Sequence, residues 1–220
     1  MRLLLIFILA MSAIGVGRVE AATVGVRSGN IVCRVAGHTR QITSDGKDRQ
    51  PALSPDGRTV AFIHIVRATA HPEFPDDEIT ALWLGDCRTG KSRLLAAASR
   101  DKDEFNSVAR PVFSVDGRLI YVSLAYGGDS LVIHQVNVMT GAQKLVVYAN
   151  LYSVIRSGPY RGDLLAAQHT SLGPPGHEYG GYPLYIFTPE GKAVYRIAGS
   201  ENWDDKALSK WLKRKGWKAW

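Results

Sequence analysis

The sequence predicts an all-β protein of repeated four-stranded antiparallel units, three complete and a fourth partial, followed by a short C-terminal helix. Three observations predict it. The stretch Pro51-Ala52-Leu53-Ser54-Pro55-Asp56-Gly57-Arg58-Thr59-Val60-Ala61-Phe62 returns sixty residues later as Pro111-Val112-Phe113-Ser114-Val115-Asp116-Gly117-Arg118-Leu119-Ile120-Tyr121-Val122. Self-similarity at such a period marks a supersecondary unit stacked on copies of itself. Turn glycines at 37, 90, 141 and 191 follow one another at intervals of 53, 51 and 50 residues. After Ser200 the pattern changes, and apolar residues recur at helical rather than strand spacing.

Residues 1–22 read as a signal peptide. Arg2 precedes an apolar run of 15 residues, Leu3–Gly17, and Val19-Glu20-Ala21 fits a small-residue cleavage site. A spanning helix needs roughly 20 apolar residues, so export is expected, to the periplasm or outside the cell. No cysteine lies near the cleavage site to take a lipid. Removing Arg2, Arg18 and Glu20 lowers the formal charge from +7 to +6. Much of the excess sits in Leu208–Trp220, so the body is only mildly basic and no nucleic-acid partner is expected.

Residues 23–199 form the repeat domain. Ser54-Pro55-Asp56-Gly57 reads as a tight turn: proline presets φ, aspartate bonds back to its own backbone, and glycine takes the left-handed position. Gln50–Leu53 before it and the β-branched run Thr59–Val66 after it are strands. The copy keeps Ser114, Asp116 and Gly117, with Val115 replacing proline, so the hairpin is expected twice and these turn residues are structural. A second hairpin follows each: Leu82–Leu95 turns at Gly90, and Ile133–Val147 at Gly141. Leu184–Ile197 turns at Gly191, and Ile31–Ile42 at Gly37. Four such hairpins favour four-stranded units. The first, with Val24–Arg27, Asn30–Val35 and Thr39–Thr43, is partial. Residues 49–98 and 109–148 make two full units, and 153–198 a third, with Leu164–Thr170, Tyr182–Phe187 and Ala193–Ile197 as its clearer strands.

The stretch Ile42–Phe62 resembles the β-propeller repeat of the TolB family, in which "LT..D...P.WSPDG..IAF" joins one blade to the next; Leu53 stands where that family has tryptophan. The resemblance covers about residues 24–198, and it implies a β-propeller and a partner in a cell-envelope complex. TolB-type proteins also carry an N-terminal domain that this sequence does not show. Three blades and most of a fourth fall short of the six the resemblance implies, so the ring is small or open, or two chains complete it as a homo-oligomer.

The tail, residues 200–220, reads as a basic, tryptophan-rich helix. Asn202 or Ser200 could cap it, Asp204 and Asp205 fall in its first turn, and its later turns carry Lys210, Lys213, Arg214 and Lys215, as the helix dipole favours. Leu208, Trp211 and Leu212 lie at helical spacing, with Trp217 and Trp220 beyond Gly216. Such a helix docks its tryptophan face on the propeller, or makes a peripheral contact with a membrane surface or acidic groove.

In a four-stranded meander, alternate connections emerge at opposite ends. The Ser54–Gly57 and Ser114–Gly117 turns share one end with the Gly90, Gly141 and Gly191 turns. Loops 44–48, 67–80, 99–107, 127–130, 149–152 and 172–181 share the other, and function concentrates in such loops. There the sequence collects His71, Glu73, Asp76, Asp77 and Glu78, then Asp103 and Glu104, then His177, Glu178 and Tyr179, with Asp45 and Asp48 beside them. These are the candidate partner-binding residues.

Such groups suit a basic peptide or a cation. No standard metal spacing appears, and no cofactor is expected. His177-Glu178-Tyr179-Gly180-Gly181 is similar to a stretch in propellers of prolyl-oligopeptidase-like enzymes, but the Gly-x-Ser-x-Gly elbow of their hydrolase domain is missing. His64 and His134 fall within strands and read as packed or surface residues. Catalytic residues are therefore not assigned. The leading reading is an exported propeller that binds a protein or peptide. The alternative is a metal-dependent carbohydrate-binding or hydrolytic propeller using the same acidic loops.

Cys33 and Cys87 occupy similar places in successive hairpins, and an oxidising compartment invites a bridge. Equivalent third strands of neighbouring blades fan apart, however, by about 4.8 Å for each strand from the axis, and bridging needs Cα atoms within roughly 7 Å. The sequence leaves bridged and unbridged cysteines both open, and a bridge would mean that these blades pack more closely than such fanning implies.

Overall fold

The structure, a computed structural model, describes residues 22–68, 78–97, 107–126, 130–172, 179–201 and 203–219. The expected signal peptide, residues 1–22, lies outside them apart from Ala22. Blade 1 has three strands, β1 (Thr23–Arg27), β2 (Asn30–Val35) and β3 (His38–Gln41). Blade 2 is the meander β4 (Asp48–Leu53), β5 (Thr59–Arg67), β6 (Ile79–Asp86) and β7 (Ser92–Ala96). Blade 3 repeats it with β8 (Val108–Phe113), β9 (Leu119–Tyr126), β10 (Ser130–Asn137) and β11 (Gln143–Val147).

Blade 4 joins β12 (Asn150–Val154), β13 (Leu164–Ala167), β16 (Leu184–Phe187) and β17 (Ala193–Arg196); between β13 and β16 the chain makes a separate hairpin, β14 (Thr170–Leu172) and β15 (Tyr179–Gly181). The expected strands Leu164–Thr170 and Tyr182–Phe187 are thus shorter. Pro183 has no N–H to donate, so beyond the Ala167–Leu184 pair a single bond continues, from Gln168 N to Pro183 O at 3.2 Å.

The central strands of blades 2 to 4 are apolar on both faces because each of these blades is buried on both sides, and their period-2 alternation deals side chains to successive interfaces. From β5, Val60 and Phe62 pack with Ile31, Cys33 and Ile42 of the blade 1 side, while Ala61 and Ile63 meet Val108, Ile120 and Val122 of blade 3. Tyr121 and Ile133 of blade 3 meet Leu164, Ala166 and Phe187 of blade 4. Leu165, Ala167 and Ile186, on the far side of blade 4, meet the helix. Four apolar layers therefore lie in series. Among the described residues no core cluster joins blade 1 to blade 4, and the blades these residues form stand in an open row.

The row is covered at both flanks. Helix α1 (Asp205–Lys215) lays Leu208, Trp211 and Leu212 on blade 4, where a further blade would otherwise pack. Its cap is Asp204, whose Oδ1 accepts from Ala207 N at 2.7 Å, in place of the expected Ser200 or Asn202. Ser200 is buried instead, accepting from Leu184 N (2.8 Å) and donating to Ile197 O (2.6 Å); Asn202 lies outside the described residues. Gly216, at φ 68°, ends the helix, and Trp217 folds back edge-on to Trp211, ring centroids 5.3 Å apart. The tryptophan face is thus docked. At the other flank, register puts Thr23, Gly25 and Arg27 of β1 beside Arg34, Val32 and Asn30 of β2 on the face away from blade 2, a surface of mostly small and polar residues.

Cys33 and Cys87 are bridged, Cα to Cα 5.5 Å, closer than the fanning of equivalent strands implies. The two positions are not equivalent. Cys33 lies inside a ladder, paired with Arg40, whereas Cys87 is the residue just past β6 and opens a four-residue turn. That turn reaches across to blade 1: a Cβ on Gly90 would stand 3.2 Å from the Arg40 side chain.

Candidate functional site

The two ends of the row differ chemically. At the turn end, Ser54 Oγ donates to Asp56 Oδ1 (2.6 Å) and accepts from Thr59 N (2.9 Å), and Arg58 N donates to Asp56 Oδ1 (3.1 Å). Ser114 and Asp116 repeat these bonds with Leu119 and Arg118 at 2.6, 3.0 and 3.1 Å. In each copy the serine hydroxyl, then the arginine amide, holds the aspartate below its usual pKa. Gly57 and Gly117 take φ of 72° and 73°, while Pro55 lies against Gly117 of the next blade. These side chains are occupied in closing hairpins.

At the loop end, His71, Glu73, Asp76, Asp77, Asp103, Glu104, His177 and Glu178 lie outside the described residues. Tyr179 opens β15. Glu78 is buried and ion-paired with Arg49 of β4, so its carboxylate is engaged within the blade.

The described part of this end holds a cluster that the sequence only half disclosed. Asp45, Asp48 and His64 bring ligand atoms within 4.8 Å of one another. Asp48 opens β4, and its amide donates to Gly29 O of the β1–β2 turn at 2.8 Å. Gly29 must be glycine there, since a Cβ would meet Gly46 O at 2.2 Å. Asp45 sits on the β3–β4 loop, its Oδ1 accepting from Lys47 N (3.1 Å), and Lys47 O accepts from Ile65 N (2.9 Å). The loop is thereby fixed to blade 1 and to β5.

His64 faces Asp48 because of a bulge. Leu53 pairs with Val60 and Ala52 with Ala61, but past Gln50 and Pro51 the register slips by one, so that Asp48 opposes His64. Without it Arg49 would oppose His64, and Asp48 would turn to the other face. Gln50 takes φ 50° to make the slip, and Arg110 does so at 52° in blade 3, its amide donating to Gln50 Oε1 at 2.7 Å.

His64 Nδ1 and Asp48 Oδ1 are within hydrogen-bonding distance at 2.9 Å, and Nδ1 lies 3.7 Å from Asp45 Oδ2. The Asp48 side chain is 1% exposed, and its Oδ2 is buried without a hydrogen-bond partner. Burial, reinforced by the Asp45 charge, raises the Asp48 pKa against the opposing effects of the Thr43 hydroxyl and His64. Burial also pulls Asp45 upward, but the Lys47 amide and the His64 charge outweigh it and leave that carboxyl lowered. The cluster opens into a cleft of about 240 Å³ between blades 1 and 2, walled by Ile42, Phe62 and Trp83. Trp83 stands 5.4 Å from the imidazole, centroid to centroid.

The described residues contain no helix long and apolar enough to cross a membrane. No protein-family model matches the sequence, and no curated protein is a significant match. Solved structures do match. TolB from Acinetobacter baumannii aligns over 82% of this chain and 42% of its own, at TM-score 0.52 and 16% identity. Dipeptidyl peptidase 4 of Porphyromonas gingivalis aligns over 84% and 32%, at 0.54 and 15%. The propeller domain of the trilobed protease from Pyrococcus furiosus, described as having an open velcro topology, aligns over 78% and 48%, at 0.50 and 14%. The chain spans less than half the length of each. The likeness is one of fold, shared with TolB and with propeller domains of peptidases: the protein is a β-propeller whose described residues build three four-stranded blades, a three-stranded one and a terminal helix.

Proposed function

We propose that the chain is an exported propeller that binds a protein or peptide through its loop end, in the periplasm or outside the cell, as a component of an envelope complex. The observation that carries this reading is the matched pair of bulges at Gln50 and Arg110. Two exposed, non-glycine residues on the inner strands are held in left-handed backbone, at a cost of about 1–3 kcal/mol each, and strain of this kind collects at ligand clamps. At the turn end the non-glycine residue in left-handed backbone, Ala36 at φ 49°, lies in the two-residue β2–β3 turn and not within a strand. Export is supported by the apolar leader and by the Cys33–Cys87 bridge, since such bonds persist in oxidising compartments; the TolB-like fold supports the envelope. A carbohydrate-binding or hydrolytic role has only the carboxylate–imidazole cluster in its favour.

Capture from an envelope extract on immobilised protein tests the reading. Arg110→Glu, and Asp76→Ala combined with Asp77→Ala, should each abolish retention of a discrete partner, while Arg58→Glu at the turn end should not. Loss by the Arg58 variant alone would place the interface at the wrong end.

A further inference from the structure

We propose that Asp45, Asp48 and His64 form a site for a divalent transition-metal cation in the cleft between blades 1 and 2. This is independent of the partner-binding reading. The atoms are spaced as ligands are: with bonds of about 2.0–2.2 Å, neighbouring donors around a tetrahedral or octahedral metal lie roughly 3.0–3.5 Å apart. Nδ1 of His64 lies 2.9 Å from Asp48 Oδ1 and 3.7 Å from Asp45 Oδ2.

Two observations point to a ligand rather than to a structural ion pair. Asp48 Oδ2 is buried with no hydrogen bond, a costly state that a cation held by both oxygens of this carboxylate would relieve. The fold also does not need the polar pair. The same bulge in blade 3 places Val108 opposite Leu124, at the positions where blade 2 has Asp48 opposite His64, and both of these apolar residues are buried. Blade 2 thus carries, on the same backbone, a buried carboxylate and an imidazole where packing alone suffices in its neighbour.

The surroundings suit a cation. Two carboxylates converge on one imidazole, while nearby Arg49 is engaged by Glu78. The half-open Asp45 leaves coordination positions toward the cleft for water or a further ligand. Imidazole with carboxylate selects Zn²⁺ or Mn²⁺ over Ca²⁺, which prefers oxygen alone.

The test uses untagged, disulfide-intact protein stripped with a chelator and titrated with Co²⁺, followed by visible absorption and by competition with Zn²⁺. One equivalent should bind. Asp45→Asn, a change at an exposed position, and His64→Gln should each weaken Zn²⁺ at least about tenfold, with unchanged far-ultraviolet circular dichroism. His38→Gln, which removes an exposed imidazole on β3, should bind as the parent does. Absence of saturable one-to-one uptake would overturn the proposal. So would parental affinity in both Asp45→Asn and His64→Gln, or loss in His38→Gln.

Discussion

Replacing Cys33 and Cys87 together by alanine removes the covalent tie between blade 1 and blade 2. The two positions are 54 residues apart, so in the chain-entropy treatment the open chain regains roughly 14 cal/mol/K, or about 4 kcal/mol at 25 °C. Both sulfurs are buried in the layer formed by Ile31, Ile42, Val60 and Phe62, so the smaller apolar volume of alanine there adds to this figure. The loss should be uneven. Blade 1 is held by one layer, its outer strand β3 is exposed throughout, and its far face is solvated, whereas blade 2 is packed on both sides. Guanidinium unfolding followed by tryptophan fluorescence should show a lower midpoint. Native-state hydrogen exchange should show β1–β3 amides losing protection well before those of β9 and β13. A stability change below about 1 kcal/mol, or equal loss of protection in all four blades, would refute the reasoning.

Two further outcomes follow from the same interfaces. Trp211 is 8% exposed against blade 4, so Trp211→Ala should cost about 3–4 kcal/mol in urea unfolding, while Lys210→Ala next to it should be near neutral; a small effect at Trp211 would mean an undocked helix. Ser54→Ala should cost about 1–2 kcal/mol at neutral pH through its two hydrogen bonds. The Asp56 pKa is lowered in the folded state, so its contribution is present above the unfolded value near 4 and is lost as pH falls through the folded one. The gap between parent and variant should therefore narrow in unfolding measured near pH 3, and a gap independent of pH would contradict it.

The scaffold was legible because its signals are local. Ser54–Gly57 and Ser114–Gly117 specify hairpins by turn chemistry that acts within five residues, and the structure shows the same three bonds in both. The bridge and the cluster depend on register, which is not local. Cys33 and Cys87 look equivalent when strings are aligned, yet one is within a ladder and the other in a turn. His64 read as a packed or surface residue because it falls within a strand, where a regular hairpin would set it opposite Arg49. The signal was present in Gln50-Pro51: a proline in an inner strand, which cannot donate to a ladder, marks a bulge. Counting that slip brings Asp48 onto His64, and Arg110-Pro111 repeats the sign.

Openness itself bears on how a partner could engage. A closed propeller admits a ligand only along its axis, because each inner strand is flanked by two others. Here the layers run in series from blade 1 to α1, with a polar face at one flank and the helix over the other. Terminal units with a solvated or covered outer face are what allow a repeat array to remain soluble without closing. The inner rim at Gln50 and Arg110 is then open from the side as well as from the end, and on the proposed binding role an extended segment can reach it without threading. Such a segment would meet the strained bulges and the blade 1–2 cleft from one approach, although metal and partner binding remain separable by the substitutions at Asp45 and Arg110.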